Sequence, residues 1–292
     1  MDFVITLLAD KKKIALSEAF VQSMVLSLAS QEVAVQKIGW IADGEACELF
    51  TQYSALGALN STIQAILADQ PYDAIAQEVS KRQKKLLISD MDSTMITVEC
   101  IDELADFVGK KAEVSAITER AMNGELNFEE ALSERVALLA GMPEEILQEC
   151  YNERVKMMAG AKELLADFKE NGGYSVLVSG GFTFFTSRVR KELGFDADFA
   201  NKLEIKDGRL TGKVILPILG KEAKLAKLQE YCIKLNISAD EVIAIGDGAN
   251  DLPMLLAAGL GVAYHAKPVV RAQANAQLNH CDLSVLRFVI KR

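Results

Sequence analysis

The segment Asp90-Met91-Asp92-Ser93-Thr94 follows a short apolar run, residues 85–89, and sets two carboxylates one residue apart at the tip of a predicted strand. Placed there, Asp90 can act as a nucleophile towards phosphorus and Asp92 as a proton donor. Alternatively, both merely cap a helix, as Asp and Ser often do. A carboxylate cannot approach a phosphate dianion without charge compensation. Asp247 offers a third carboxylate, and hard oxygen ligands of this kind suit Mg2+. In Ser179-Gly180-Gly181, a hydroxyl and two glycines leave another predicted strand, so that backbone N–H groups can close on phosphate oxygens at a helix start. The same tripeptide is also ordinary turn chemistry. Lys224, on a predicted helix, can neutralise charge on a phosphoryl group, or simply be solvated. In Gly246-Asp247-Gly248-Ala249-Asn250-Asp251, glycines flank one acid at a strand end and a second acid follows at a helix start. A calcium loop needs a longer run of oxygen ligands. With His265 and His280 the only histidines, a histidine base has little to work with.

The elements that must hold these residues divide near residues 80–84. Before that point the patterning predicts strands at 3–8, 33–41 and 47–53 and helices at 16–28 and 59–68. This β-α-β-β-α order suggests a small α+β domain, residues 1–82, with helices on one face of an antiparallel sheet. Residues 83–292 form a second, larger domain. Its first strand, 85–89, is followed by a helical block at about 101–158, broken by Asn123-Gly124 and Gly141-Met142-Pro143. Strands at 174–178, 242–245 and 261–263 then alternate with helices at 161–170, 183–193, 221–235 and 251–258, and a hairpin over 199–214 turns at Asp207-Gly208. Mostly apolar strands alternating with helices predict an α/β fold, a Rossmann-like parallel sheet covered on both faces. In such folds reactive groups gather at the carboxyl ends of strands, where Asp90, Asp92, Ser179, Gly180, Asp247 and Asp251 all fall.

The chain has 292 residues, half of them hydrophobic, and a net charge of −9, which argues against a nucleic-acid partner. No apolar run approaches the length of a bilayer span, so no membrane partner is expected. Cys47, Cys100, Cys150, Cys232 and Cys281 are scattered and form no C-x-x-C pair. This disfavours a disulfide framework or a zinc site and fits a reducing cytoplasm.

Together the patches resemble the haloacid dehalogenase-like phosphohydrolases. The D-x-D-x-T signature stands at residues 90–94, the small hydroxyl at Ser179, the lysine at Lys224 and the terminal acids at Asp247 and Asp251, in the family's order. The resemblance covers roughly residues 85–290. It implies a HAD-like fold whose helical cap is the block at about 101–158, with an aspartyl-phosphate on Asp90 and Mg2+ held by Asp90, Asp92 and Asp247. The second Asp of the signature, Asp92, implies a phosphatase. A closer likeness is to the phosphoserine phosphatase family, carried by Glu99 in Val98-Glu99-Cys100, by Met122, Phe128 and Arg135, and by Val178-Ser179-Gly180-Gly181-Phe182.

That likeness implies Mg-dependent hydrolysis of O-phospho-L-serine, a small phosphomonoester, as the last step of serine biosynthesis. Arg135 would grip the substrate carboxylate with its planar fork and Glu99 would pair with the ammonium. Ser179, Gly180, Lys224 and Asn250 would face the phosphate, and Asp251 would orient the metal's surroundings. Met122 and Phe128 would shield the site from water when the cap closes. Arg135 could instead pair with Glu134 or Glu130, and Met122 and Phe128 could be plain core residues. Residues 1–82 resemble, in element order and one strand short, the ACT-like domains that bind amino acids and regulate. A structural role, or a dimerising one in a homodimer, is the alternative. Two rivals stand beside this function. One is another phosphatase or phosphotransferase on the same fold, acting for instance on phosphohomoserine. The other is an amino-acid-binding regulatory protein without catalysis.

Overall fold

The computed structural model describes residues 1–290 apart from Asp69, Asn123 and Gly124. Residues 291–292 and the side chains of Ala121, Met122 and Lys221 also lie outside the described set, so the expected Asn123-Gly124 turn and the role given to Met122 are not addressed by it. The elements run β1 (Asp2–Leu8), α1 (Glu18–Ser30), β2 (Val35–Ala42), β3 (Ala46–Gln52), α2 (Leu56–Leu67), β4 (Asp73–Glu78), β5 (Leu86–Ser89), α3 (Cys100–Phe107), α4 (Lys111–Met122), α5 (Phe128–Ala137) and α6 (Glu145–Arg154). They continue α7 (Ala161–Glu170), β6 (Tyr174–Phe182), α8 (Thr183–Leu193), β7 (Ala197–Lys206), β8 (Arg209–Ile215), α9 (Lys221–Leu235), β9 (Val242–Gly246), α10 (Leu252–Ala257), β10 (Leu260–Tyr264), α11 (Pro268–Arg271) and β11 (Ala276–Leu278). Two compact units emerge, one of Met1–Ile88, Ala159–Ser175 and Leu228–Arg292, the other of Ser89–Met158 and Val176–Lys227.

In the first unit, a four-stranded antiparallel sheet has the order β2-β3-β1-β4. Phe3, Ile5 and Leu7 alternate towards a core shared with Val21, Met24 and Leu28 of α1 and Leu59 and Ile63 of α2. The i, i+3, i+7 spacing on α1 builds its apolar stripe, and the Ser17 hydroxyl caps it by accepting the Phe20 N–H at 3.1 Å. The strand over 73–78 is absent from the sequence expectation. Small alanines and three polar residues, Asp-Ala-Ile-Ala-Gln-Glu, hide its alternation, yet it pairs with β1 along its whole length. It completes a β-α-β-β-α-β order. Asp73, at its start, is 3% exposed, and its carboxylate accepts the backbone N–H groups of Asn279, His280 and Cys281 at 2.8, 2.9 and 2.9 Å. Hydrogen bonds to a charged group each contribute about 1.5–3 kcal/mol. Gln77 donates its side-chain amide to the Val289 carbonyl at 2.8 Å, adding a second tie to the same C-terminal stretch.

Among the described residues a second sheet has seven strands in the order β11-β10-β9-β5-β6-β7-β8. The β9–β10, β10–β11 and β6–β7 pairings are parallel, whereas the hairpin partner β8 runs antiparallel to β7. The α/β class with a predominantly parallel sheet, expected from the strand–helix alternation, is therefore observed. β9 and β10 are buried throughout, which explains why they read as unbroken apolar runs.

In the second unit, the helical block consists of α3, α4, α5 and α6. Its two ends are stitched together where Thr97 donates to the Lys156 carbonyl and Met158 to the Met95 carbonyl. The hairpin turns at Asp207 and Gly208, both at positive φ (51° and 72°), as its sequence predicts. Its tip anchors the α5–α6 connection. Gly141 N–H donates to the Leu210 carbonyl and Leu210 N–H to the Met142 carbonyl, both at 2.8 Å, and Glu144 N–H to the Gly208 carbonyl at 2.9 Å. The helix carrying Phe128 and Arg135, α5, is thus tied at its C-terminal end to the β-ribbon.

Candidate active site

β5 is buried along all four residues and delivers Asp90 and Asp92 at its carboxyl end. Asp90 is 5% exposed and its Oδ1 lies 2.8 Å from Nζ of Lys224, itself 2% exposed. The same oxygen accepts the Met91 N–H at 2.8 Å, which fixes the carboxylate against its own backbone. An ion pair this deeply buried costs desolvation, and stripping away one partner typically costs about 3–5 kcal/mol. Such a pair is retained here between the residues assigned as nucleophile and charge neutraliser.

Asp92 is held differently. Oδ1 accepts the Cys100 N–H at 2.9 Å and Oδ2 accepts the Ser179 hydroxyl at 3.0 Å. Burial raises the pKa of this carboxyl above the ordinary aspartate range. The hydrogen bonds from Cys100 and Ser179 and the charge of Lys224 oppose the shift without cancelling it. Cys100 opens α3, so the N-terminal end of a helix is what orients Asp92. Asp92 thus caps the start of α3 and also meets Ser179, while Asp90 is ion-paired with Lys224.

Ser179, Gly180 and Gly181 form an irregularity in β6, where the pairing with β7 shifts register between Val178 and Phe182. A bulge of this kind re-aims side chains beside a site. The Ser179 oxygen accepts the Gly181 N–H at 2.8 Å while its proton goes to Asp92. The glycines leave little room for side chains. A Cβ on Gly181 would stand 3.0 Å from Asp92 Oδ2, and one on Gly180 would stand 3.1 Å from the Phe128 ring. Phe128 therefore lies over the glycine loop. Its place at the first position of α5 is set by a capping box in which Asn127 accepts from Glu130 N–H and Glu130 accepts from Asn127 N–H, both at 2.9 Å.

Glu99 accepts the Ser93 hydroxyl at 2.7 Å, with Ser93 at φ +55°. Arg135 is half-buried and donates Nε to the Ala131 carbonyl at 3.2 Å. Burial pulls its pKa below the usual guanidinium value, while the charges of Asp102 and Glu99 oppose that shift. The acids considered as rival partners are engaged elsewhere, since Glu134 meets Arg120 at 2.7 Å and Glu130 closes the capping box. Arg135 and Glu99 are electrostatic neighbours of opposite charge.

In the first unit, Asp247 follows β9, half-buried, and its carbonyl accepts the Lys267 N–H at 3.2 Å. Asp251 is fully buried, and its Oδ2 accepts the Gly248 N–H at 3.0 Å. A Cβ on Gly246 would lie 2.5 Å from the Asp251 carboxyl carbon, so only glycine lets that side chain fold back on the strand end. Asn250 sits half-buried in the intervening 3-10 turn. Two contributors escaped the sequence analysis. One is the Cys100 backbone, which no side-chain pattern reveals. The other is Asn201, whose one signal is a polar residue inside the strand 199-Phe-Ala-Asn-Lys-Leu-203.

The chain belongs to the haloacid dehalogenase-like hydrolase family, whose profile matches residues 87–256. Within that class it is similar to phosphoserine phosphatases. The enzyme of that name from Polaromonas sp. (strain JS666 / ATCC BAA-500) is 50% identical over 212 residues, covering 71% of this chain and 90% of the relative. The phosphoserine phosphatase of Archaeoglobus fulgidus is 46% identical over 222 residues, or 76% of this chain, which spans 63% of that relative's length. A solved structure of a phospho-aspartyl intermediate analogue of phosphoserine phosphatase superposes with a TM-score of 0.66 at 39% identity, covering 72% of this chain and all of the other. Among the described residues no helix is long and apolar enough to cross a membrane.

Proposed function

We propose that this chain hydrolyses O-phospho-L-serine to serine and inorganic phosphate through a phosphoryl group carried on Asp90. The observation that carries this is a difference between two carboxylates one residue apart. Asp90 is ion-paired with Lys224 at 2.8 Å, whereas burial favours the protonated form of Asp92. One is suited to attack phosphorus, the other to protonate the departing serine oxygen. Asp92, then ionised, takes a proton from the water that cleaves the aspartyl-phosphate. Ser179, Gly180 and Asn250 receive the phosphate oxygens, and Lys224 neutralises charge as Asp90 and the phosphate approach.

Asp90 in the second unit and Asp247 and Asp251 in the first each offer carboxylate oxygens. All-oxygen donors fit a hard divalent cation, which we read as Mg2+. Asp90, Asp247 and Asp92 would hold it, with Asp251 orienting them. When bound, the cation supplies charge neutralisation at the phosphoryl group. Arg135 and Glu99 fit the carboxylate and ammonium of the substrate, and Phe128 excludes water above the glycine loop.

Residues 1–82, which have a hydrophobic core of their own, are read as a regulatory or dimerising module. The free thiols Cys47, Cys100, Cys150, Cys232 and Cys281 fit a reducing cytoplasm.

The test is phosphate release from a panel of phosphomonoesters, with Mg2+ and with EDTA. Release that needs the metal and is strongest on phosphoserine is the expected result. Activity spread over sugar phosphates and nucleotides would keep the chemistry but overturn the substrate, and silence on every ester would overturn both.

A further inference from the structure

Asn201 lies on β7 opposite Phe182, at the end of the irregular stretch of β6. It is 1% exposed, a polar amide inside the second unit. Its Nδ2 donates to the Gly180 carbonyl at 2.8 Å, its Oδ1 accepts the Leu219 N–H at 2.7 Å, and Nδ2 also meets the Leu219 carbonyl at 3.3 Å. The amide orientation is dictated by these partners, because only an acceptor satisfies Leu219 N–H and only a donor satisfies Gly180 C=O.

The geometry points to Asn201 as a positioning residue that locks the phosphate-receiving glycine loop to the segment leading into the lysine helix. The inference rests on the phosphatase function proposed above. At the register shift, where regular pairing lapses, the Asn201 amide holds the Gly180 carbonyl and thereby fixes the plane of the Gly180–Gly181 peptide. The other end of the same amide holds Leu219, two residues before α9 begins at Lys221 and five before Lys224. Gly220, between them, lies under Phe128, since a Cβ there would stand 3.5 Å from that ring. One side chain therefore ties together the loop beside Ser179 and the start of the helix that brings Lys224 to Asp90. Neither aspartate nor serine in its place can do both. The ionised carboxylate introduced by Asn201→Asp would keep the Leu219 bond but present an acceptor to the Gly180 carbonyl. Serine is too short to span the two partners.

Three measurements test this on the full chain: kcat and KM for the preferred phosphomonoester, inhibition by orthophosphate, and the melting temperature. For Asn201→Asp near pH 8, orthophosphate inhibition and kcat/KM should each weaken about ten- to a hundredfold, the effect of one or two lost buried hydrogen bonds. The ratio of variant to wild-type kcat/KM should climb as pH falls towards about 5.5, because a protonated carboxyl can again donate to the Gly180 carbonyl. Asn201→Ser should show the same loss with no recovery on acidification, and it covers the case in which the aspartate variant does not fold. A folded variant that binds orthophosphate as the wild type does would overturn the inference, as would an Asn201→Asp ratio that stays flat with pH. A wild type inactive on every phosphomonoester would instead sink the function on which the inference rests.

Discussion

Ser179 donates its hydroxyl proton to Asp92 Oδ2 at 3.0 Å, across 87 residues of sequence, while its oxygen accepts the Gly181 N–H. One small side chain thus couples Asp92 to the Ser179–Gly181 loop. The hydroxyl is spent on Asp92, so in the proposed reaction the loop would meet the phosphate mainly through its backbone.

Asp92→Asn should separate the two halves of the reaction. With p-nitrophenyl phosphate, whose leaving group needs no proton, Asp90 should still be phosphorylated but the hydrolytic water would lack its base. A rapid release of about one nitrophenolate per enzyme, followed by turnover slowed at least about a hundredfold, is expected in stopped-flow absorbance. A steady, burst-free reaction would show that Asp92 is not the base.

Asp90→Asn should lower kcat by at least about a thousandfold on every ester, with an unchanged circular dichroism spectrum. Mass spectrometry of the acid-quenched wild type should find phosphate on the peptide containing Asp90, and the variant should carry none.

Arg135→Ala should raise KM for phosphoserine about a hundredfold and change KM for p-nitrophenyl phosphate by less than about threefold, because only the first substrate has a carboxylate to grip. Equal losses on both would assign Arg135 to supporting the helical block.

Lys84 provides a pH signature away from the site. It is 5% exposed, donates to the Lys81 and Asp240 carbonyls at 2.5 and 2.7 Å, and is pushed down to about 8, chiefly by burial, with Asp240 opposing. Unfolded, it titrates near its ordinary value of about 10.4. Between those values the unfolded chain holds a proton that the folded chain has released. The penalty for burying the charge is therefore full below about pH 8 and fades as pH rises towards about 10.5. Melting curves of wild type and Lys84→Met should diverge in the wild type's favour by a few degrees between about pH 7.5 and pH 10. A constant difference would mean that Lys84 stays charged in the folded protein.

Much of the candidate site could be seen in the sequence because its groups sit at strand ends. There a polar residue interrupts an apolar run, as Asp90 does after β5 and Asp247 after β9. The hairpin was equally plain, since Asp207-Gly208 is a turn that few other conformations would use. β4 was not, because alanines and polar residues hide a strand whose two faces are both covered. Asn201 was missed for a related reason. Its value lies in spanning two backbone groups, Gly180 C=O and Leu219 N–H, that become neighbours only once β6 and β7 have paired.

The Asp73 clasp bears on the order in which the chain can reach its native state. The backbone groups that this carboxylate accepts lie 206 to 208 residues further along the chain. The N-terminal sheet leaves the ribosome first, yet it must wait for nearly all the rest of the protein before its last buried charge is satisfied. Contacts of such separation are slow to form, because loop closure must come before any reward. A nascent chain truncated before Asn279 would therefore leave this carboxylate to water, and the strand end that carries it without its C-terminal partners.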